Sequence, residues 1–150
     1  MVTSQWKRPS PESAPTDSKA AGLYMICSLS KHKAEKKGYD DAMMLDYRGF
    51  IAEATGANIF FLKNKEIFTP IPDCFLNGIT RQTVIKLAIK LGIKVNQQYL
   101  KPSFIKGCDE AFLTGTAVEI TPIKSIDNYV FKSREISKKL IQEFKKKTTK

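Results

Sequence analysis

The sequence predicts an α+β domain in which helices pack against a mixed or antiparallel β-sheet. Two observations support this fold class. Strand-like segments follow one another between residues 42 and 68 without an intervening helix, whereas a doubly wound parallel sheet needs strands and helices in regular alternation. The chain also has 150 residues, 42% of them hydrophobic, which is enough to bury one core of ordinary domain size.

The first 18 residues predict an extended linker that leads into the domain. Prolines at positions 9, 11 and 15 lie among serines and threonines, and proline resists helix formation. A helix is predicted over residues 20–37, because apolar positions at its start give way to lysines and Gly38 follows as a C-cap. The predicted organisation is a linker at 1–18 and a domain at 19–150.

A meander of short strands is predicted after this helix. The segments are rich in apolar and β-branched or aromatic residues, and tight turns separate them. Asn64 and Lys65 form one of these turns, between two strands that we expect to pair antiparallel. The predicted strands cover residues 42–46, 50–53 and 58–63, and a further strand contains Ile67 and Phe68.

Two more helices are predicted in the second half of the chain. Val84, Leu87, Ala88 and Leu91 fall on one face of a helical repeat, and Gly92 ends that helix. The predicted elements are a helix over 81–91, a strand over 94–100, a helical turn over 102–106, strands over 110–115 and 118–126, and an amphipathic helix over 133–146.

The net charge of +10 would permit binding to nucleic acid. Lysines carry most of the positive charge, either scattered over helix faces or gathered in a C-terminal tail that ends at Lys150. Only Arg8, Arg48, Arg81 and Arg134 could contact bases in the two-pronged way that guanidinium groups allow. A solvated polar surface is therefore favoured, and a nucleic-acid-binding domain is a less favoured alternative.

Several other classes of protein are disfavoured by what the sequence lacks. The longest apolar runs fall far short of the about 20 residues that a membrane span needs, and the N-terminus has no apolar stretch of signal-peptide type. Cys27, Cys74 and Cys108 are widely spaced, and His32 is the only histidine, so neither a metal site nor a serine–histidine triad is predicted. We expect a cytoplasmic protein without a membrane or metal partner.

Lys19, Tyr24 and Glu53 together suggest a specific chemistry. A lysine amine can form an imine with an aldehyde, a phenol can donate to a ring oxygen, and a carboxylate can keep a ring nitrogen protonated. Lys19 lies where the linker meets the first helix, and Tyr24 follows slightly more than one helical turn later. These are the three groups that bind and tune pyridoxal phosphate.

Lys19, Tyr24 and Glu53 also have ordinary interpretations, namely a surface lysine, a core tyrosine and a surface glutamate.

Two further turns fit a phosphate. Gly78, Ile79 and Thr80 open a helix whose free amides favour an anion, although the same turn could merely cap the helix. The turn from Thr114 to Ala117 offers hydroxyls and amides for a phosphate oxygen or a substrate carboxylate.

Four sequence strings carry a resemblance to a known family. They are KAAGLY at 19–24, LDYRGFIAEATGANIFFLK at 45–63, GITR at 78–81 and TGTAVEITP at 114–122. In this order they resemble the second domain of the fold-type IV aminotransferases, most closely the branched-chain amino acid aminotransferases. D-amino acid aminotransferases and aminodeoxychorismate lyases, from the same fold type, resemble the chain less.

The resemblance implies the C-terminal domain of the D-amino acid aminotransferase-like fold, with a sheet or partial barrel packed with helices, and pyridoxal 5′-phosphate as cofactor. Lys19 would be catalytic and would bind the cofactor with Tyr24 and Glu53. Ile79, Thr80 and Thr116 would hold the phosphate, and Thr116 with Ala117 would seat the substrate carboxylate. The implied substrates are leucine, isoleucine and valine with 2-oxoglutarate and glutamate.

The chain departs from the family pattern at its start. The family has an N-terminal domain that supplies a phosphate-binding arginine and much of the side-chain pocket, and the resemblance begins after that domain. Arg81 is a helix residue and no obvious substitute. The alternatives are a truncated, catalytically silent fragment or one subunit of a split enzyme, and the expected partner is a second copy in a homo-oligomer or a separate N-terminal-domain chain.

Overall fold

A computed structural model describes residues 1–148 of the chain, so that Thr149 and Lys150, at the end of the predicted 19–150 domain, lie outside the described residues. Helices and strands alternate irregularly along it. The helices are α1 (Ala21–Lys36), α2 (Ile79–Lys90) and α3 (Glu135–Thr148), with a 3-10 turn at Pro102–Ile105. The strands are β1 (Val2–Arg8), β2 (Ala42–Asp46), β3 (Ile51–Ala54), β4 (Asn58–Lys63), β5 (Glu66–Thr69), β6 (Val95–Gln97), β7 (Glu110–Gly115), β8 (Glu119–Pro122), β9 (Ser125–Ile126) and β10 (Tyr129–Val130).

Two larger sheets organise the described residues. One has the strand order β6-β5-β4-β7-β8 and the other the order β1-β2-β3, while β9 and β10 form a small hairpin. The β1–β2 and β5–β6 pairs are parallel, and the other pairs are antiparallel. The prediction of an α+β fold with a mixed sheet is therefore confirmed.

The core lies on both faces of the five-stranded sheet, and β4 contributes to each. Side chains alternate between the faces of a strand. Ile59 and Phe61 belong to the cluster shared with β2 and β3, whereas Phe60 and Leu62 belong to the cluster shared with α2 and α3. At most 2% of the surface of each of these four residues is exposed. β4 is therefore a central strand that packs against both clusters.

The first strand is the main difference from the predicted organisation. Residues 2–8 do not form a free linker but pair in parallel with β2, so this part of the 1–18 segment belongs to the sheet. Val2 and Thr3 are β-branched and Trp6 is aromatic, residue types that suit a strand, but the prolines from position 9 onward obscure this signal. The pairing brings Arg8, at the end of β1, into the interior with an exposed fraction of 5%.

Smaller differences occur at element ends. The predicted strand over 118–126 is interrupted after Pro122 and resumes at Ser125, and the one over 94–100 is reduced to Val95–Gln97. The turn at Asn64 and Lys65 is confirmed, and both residues have left-handed backbone angles (φ 52° and 63°). Among residues 1–148, none of the helices has the length and apolarity that crossing a membrane requires.

Candidate active site

A pocket of about 570 Å³ opens where the segment before α1, the end of β3, the end of β7 and the start of α2 meet. The seven residues that the sequence singled out all border it, although they come from four distant parts of the chain. They are Lys19, Tyr24, Glu53, Ile79, Thr80, Thr116 and Ala117. The fold therefore brings the whole predicted set to one cavity.

Lys19 and Tyr24 lie on the solvent side of this pocket. Lys19 is exposed and directly precedes Ala20, the extended N-cap of α1, and its amine makes no hydrogen bond or ion pair with the described residues. Tyr24 lies in the first turn of α1 with 49% of its surface exposed. It is thus not the core tyrosine of the ordinary interpretation, and both groups are available to a ligand.

Glu53 lies on the inner wall of the pocket. It belongs to β3 and has an exposed fraction of 9%, so the interpretation as a surface glutamate is wrong. Its Oε1 atom is 3.3 Å from Nε of Arg8. Burial raises the pKa of the Glu53 carboxyl to about 8, although the charge of Arg8 acts in the opposite direction. The carboxyl can therefore hold a proton near neutral pH.

Arg8 is a pocket residue that the sequence did not reveal. Besides Glu53, its guanidinium donates to the carbonyl oxygen of Cys74 (3.2 Å) and to Sγ of Cys27 (3.6 Å). Burial raises the pKa of the Cys27 thiol, so this pocket thiol is held in its neutral, weakly nucleophilic form. The β-branched Val2 and Thr3 and the aromatic Trp6 were the signal that could have placed Arg8 in a strand, and therefore inside the domain.

The start of α2 presents free backbone donors to the pocket. Gly78 is the N-cap, and its N–H donates to Oδ1 of Asn58 at 3.2 Å, so Gly78 does not supply the free amide that the sequence suggested. The amides of Ile79 and Thr80, the first two helical residues, donate to no acceptor among residues 1–148. The N-cap is thus Gly78 and not the hydroxyl residue Thr80, and these two amides lie at the positive end of the helix dipole.

The turn after β7 forms another part of the rim. Gly115 ends the strand, and Thr116 and Ala117 follow it in exposed positions. Thr114 is buried, with 1% of its surface exposed, and its Oγ1 atom has no hydrogen-bond partner among the described residues. Thr116 is therefore the hydroxyl of this turn that a ligand can reach.

The titration of Glu53 predicts a pH dependence of stability. An unfolded glutamate has an ordinary pKa of 4.5, and burial raises the folded value to about 8, so between these pH values the folded chain binds more protons than the unfolded chain. The contribution of Glu53 to the free energy of unfolding should therefore fall as the pH rises from about 5 to about 8, by about 1 kcal/mol per pH unit, and then level off.

Urea unfolding at four pH values between 5.5 and 8.5 measures the slope of the free energy of unfolding against pH. Glu53→Gln removes the titrating group while retaining its shape. The free energy of unfolding of this variant should therefore fall less steeply with pH than that of the wild type, by about 1 kcal/mol per pH unit. Glu35→Gln, at an exposed position of α1, should leave the slope unchanged. Equal slopes for wild type and Glu53→Gln would contradict the raised pKa.

An α+β fold with a lysine, a phenol, a buried carboxyl and a free helix N-terminus around one cavity has the features of an enzyme that holds a phosphorylated aromatic aldehyde. Residues 1–126 match the model of one family, described as amino-transferase class IV. The match covers most of the sequence, and the chain belongs to that family.

Individual relatives agree with this assignment. A protein of Rickettsia conorii named "Probable branched-chain-amino-acid aminotransferase" is 44% identical over 97% of this chain and 52% of its own length. The branched-chain amino acid aminotransferase of Escherichia coli matches with a TM-score of 0.91 and 38% identity, over 95% of this chain and 50% of that one. An aminotransferase from Brucella abortus, solved with the cofactor PLP bound, has a TM-score of 0.87 and 35% identity over 95% of this chain and 52% of that one.

These similarities confirm the predicted fold and family. They also show that the chain spans about half the length of the relatives it matches.

Proposed function

We propose that this chain binds pyridoxal 5′-phosphate in the pocket and forms the C-terminal half of an enzyme that transaminates leucine, isoleucine and valine with 2-oxoglutarate. One observation carries the proposal: Lys19, Tyr24 and Glu53 border the same cavity as the N-terminus of α2. When bound, pyridoxal phosphate supplies an electron-withdrawing ring that stabilises negative charge at the substrate α-carbon.

Each residue has a role in the proposed site. The Lys19 amine would hold the aldehyde carbon with loss of water and, once the amino group of the substrate has displaced it, would carry the proton of the substrate α-carbon. The Tyr24 hydroxyl donates to the ring oxygen, and the Glu53 carboxyl, which burial keeps ready to hold a proton, supports a protonated ring nitrogen. Glu53 would pass its proton to the ring nitrogen and stay ionised beside the positive charge, so cofactor binding and the loss of the Glu53 proton would be coupled.

The anionic groups have their own binding elements in this proposal. The free amides of Ile79 and Thr80 bind the phosphate together with the Thr116 hydroxyl, since a helix N-terminus and a hydroxyl donor both favour phosphate oxygens. The turn of Thr116 and Ala117 seats the substrate carboxylate. Either a second copy of the chain or a chain equivalent to the N-terminal part of the relatives completes the side-chain pocket, and a cytoplasmic location remains a prediction of the sequence.

Trapping the cofactor tests the proposal. Purified chain is titrated with pyridoxal phosphate, reduced with borohydride and digested, and the modified peptides are quantified by mass spectrometry. Substoichiometric labelling should concentrate on Lys19, because its neighbours bind the ring and the phosphate. Labels spread evenly over the surface lysines would contradict the proposed site.

A catalytically silent chain, or one subunit of a split enzyme, is the second candidate. The observation that favours it is the coverage of about half of each matched relative. In this case Lys19 is labelled, but the purified chain does not convert leucine and 2-oxoglutarate to glutamate until the partner chain is added. Turnover by the chain alone would contradict the second candidate and would mean that the chain needs no N-terminal-domain partner for activity.

A further inference from the structure

An irregular segment of nine residues, 70–78, connects β5 to α2 and leads directly to the proposed phosphate-binding amides. A single side chain from β4 holds its end. Asn58, with an exposed fraction of 5%, donates from Nδ2 to the carbonyl oxygen of Leu76 at 2.9 Å and accepts at Oδ1 from the N–H of Gly78 at 3.2 Å. One amide group therefore fixes the backbone on both sides of Asn77.

Gly78 is required by this contact and not by its backbone angles. Its φ of −59° and ψ of 145° are open to any residue. An added Cβ atom, however, would lie 2.6 Å from Oδ1 of Asn58, a distance at which the two atoms overlap. The glycine and the asparagine therefore form a matched pair.

Arg81 holds the same segment from the helix side. Only 1% of its surface is exposed, and it donates to Oδ1 of Asn77 (2.8 Å), to the carbonyl oxygen of Pro70 (2.9 Å) and to Oε1 of Gln97 (2.8 Å). Both ends of the segment are thereby tied to one guanidinium group.

The charge of Arg81 also lacks a counterion among residues 1–148. No carboxylate of these residues lies within ion-pair distance of it, and its Nε atom has no hydrogen-bond partner there. Burial lowers the pKa of Arg81 to about 10, which still leaves it positively charged at neutral pH. A buried cation without an anion is costly, and an anion bound at the adjacent turn would offset part of that cost.

We propose that Asn58 and Arg81 are positioning residues that hold the amides of Ile79 and Thr80 in their anion-binding arrangement before any ligand arrives. A preformed turn loses less conformational entropy on binding than a mobile one. Arg81 does not border the pocket, so its effect on the ligand passes through the segment it ties and through its charge. The inference rests on the proposed function in one respect, that the anion is the phosphate of pyridoxal phosphate.

The affinity difference between pyridoxal phosphate and pyridoxal, which lacks the phosphate, measures the role of the turn. Asn58→Ala and Arg81→Lys should each weaken binding of pyridoxal phosphate by about tenfold, the size of the contribution of about one hydrogen bond, and leave pyridoxal affinity within about twofold. Asn96→Ala is the matched control, because Asn96 also bonds a side chain and a backbone carbonyl but lies outside the pocket. A folded Asn58→Ala protein that keeps the full preference for pyridoxal phosphate would overturn the inference.

Hydrogen exchange of the cofactor-free chain tests the same inference without pyridoxal phosphate. The Gly78 amide should exchange at least about tenfold faster in Asn58→Ala than in wild type, since it loses its acceptor, whereas amides in the middle of α2 should not change. If Asn58→Ala does not fold, Gly78→Ala, which displaces the same acceptor, is measured instead. Unchanged exchange at residues 76–80 would overturn the positioning role. Wild type that binds neither pyridoxal compound would instead contradict the proposed function.

Discussion

Lys19→Ala should abolish the borohydride-trapped cofactor adduct while leaving the fold intact. Lys19 is the one lysine that borders the pocket among the described residues, and alanine has no amine to form the imine. Because Lys19 is exposed and makes no bond with the described residues, the free energy of unfolding should change by less than about 0.5 kcal/mol. Peptide mapping after reduction and urea unfolding measure the two quantities.

Lys19→Arg separates imine formation from simple charge attraction. Arginine keeps the positive charge beside the proposed phosphate site but does not form the imine, so the adduct should be lost here too, while weak reversible binding of pyridoxal phosphate persists. Lys31→Ala is the control, since Lys31 is an exposed lysine of α1. Full labelling of either Lys19 variant would mean that another lysine is the reactive one.

Glu110→Ala should cause a large loss of stability. The buried Glu110 carboxylate of β7 accepts four hydrogen bonds at the start of α3. They come from the N–H groups of Ile136 (2.9 Å) and Ser137 (2.9 Å), and from the hydroxyls of Ser137 (2.7 Å) and Ser133 (3.1 Å). Hydrogen bonds to a charged group contribute about 1.5–3 kcal/mol each, and the buried donors would be left unsatisfied. We expect a total loss of at least about 3 kcal/mol.

Urea unfolding checks this expectation. Glu110→Gln retains one acceptor oxygen and should fall between wild type and Glu110→Ala, and Glu35→Ala, in an exposed helical position, should lie within about 0.5 kcal/mol of wild type. Because α3 packs in the cluster on the far side of β4 from β2 and β3, the folded fraction should still be labelled at Lys19. A loss below about 1 kcal/mol would show that water replaces the carboxylate at this helix end.

Local sequence patterns were sufficient to predict the elements that depend on near neighbours. The strands Asn58–Lys63 and Glu110–Gly115 have the predicted bounds, since a short continuous apolar run with turn residues beside it defines each. The seven site residues also lie together as expected, because the resemblance rests on several motifs in the same order. Their individual roles stay predictions.

The features that the sequence did not reveal depend on contacts between residues that are distant in the chain. The strand Val2–Arg8 is stable because it pairs with β2, about 40 residues later, and a local pattern contains no information about that partner. Arg81 was predicted as an ordinary helix residue, but Pro70 and Gln97 provide acceptors that allow its burial. Asn58 acquires its role only when β4 lies beside the segment that precedes α2.

The exposed rim of the pocket has a practical consequence. Ile79 is 83% exposed and Tyr24 49%, and Lys19, which borders the same pocket, is exposed as well. If pyridoxal phosphate binds Lys19 as proposed, water would reach the linkage and return it to free amine and aldehyde. A yellow solution of the chain loaded with pyridoxal phosphate should therefore lose its colour on desalting unless another surface shields the linkage. The rate at which the colour is lost, measured with and without an added partner chain, would show how well that chain excludes water from the Lys19 nitrogen.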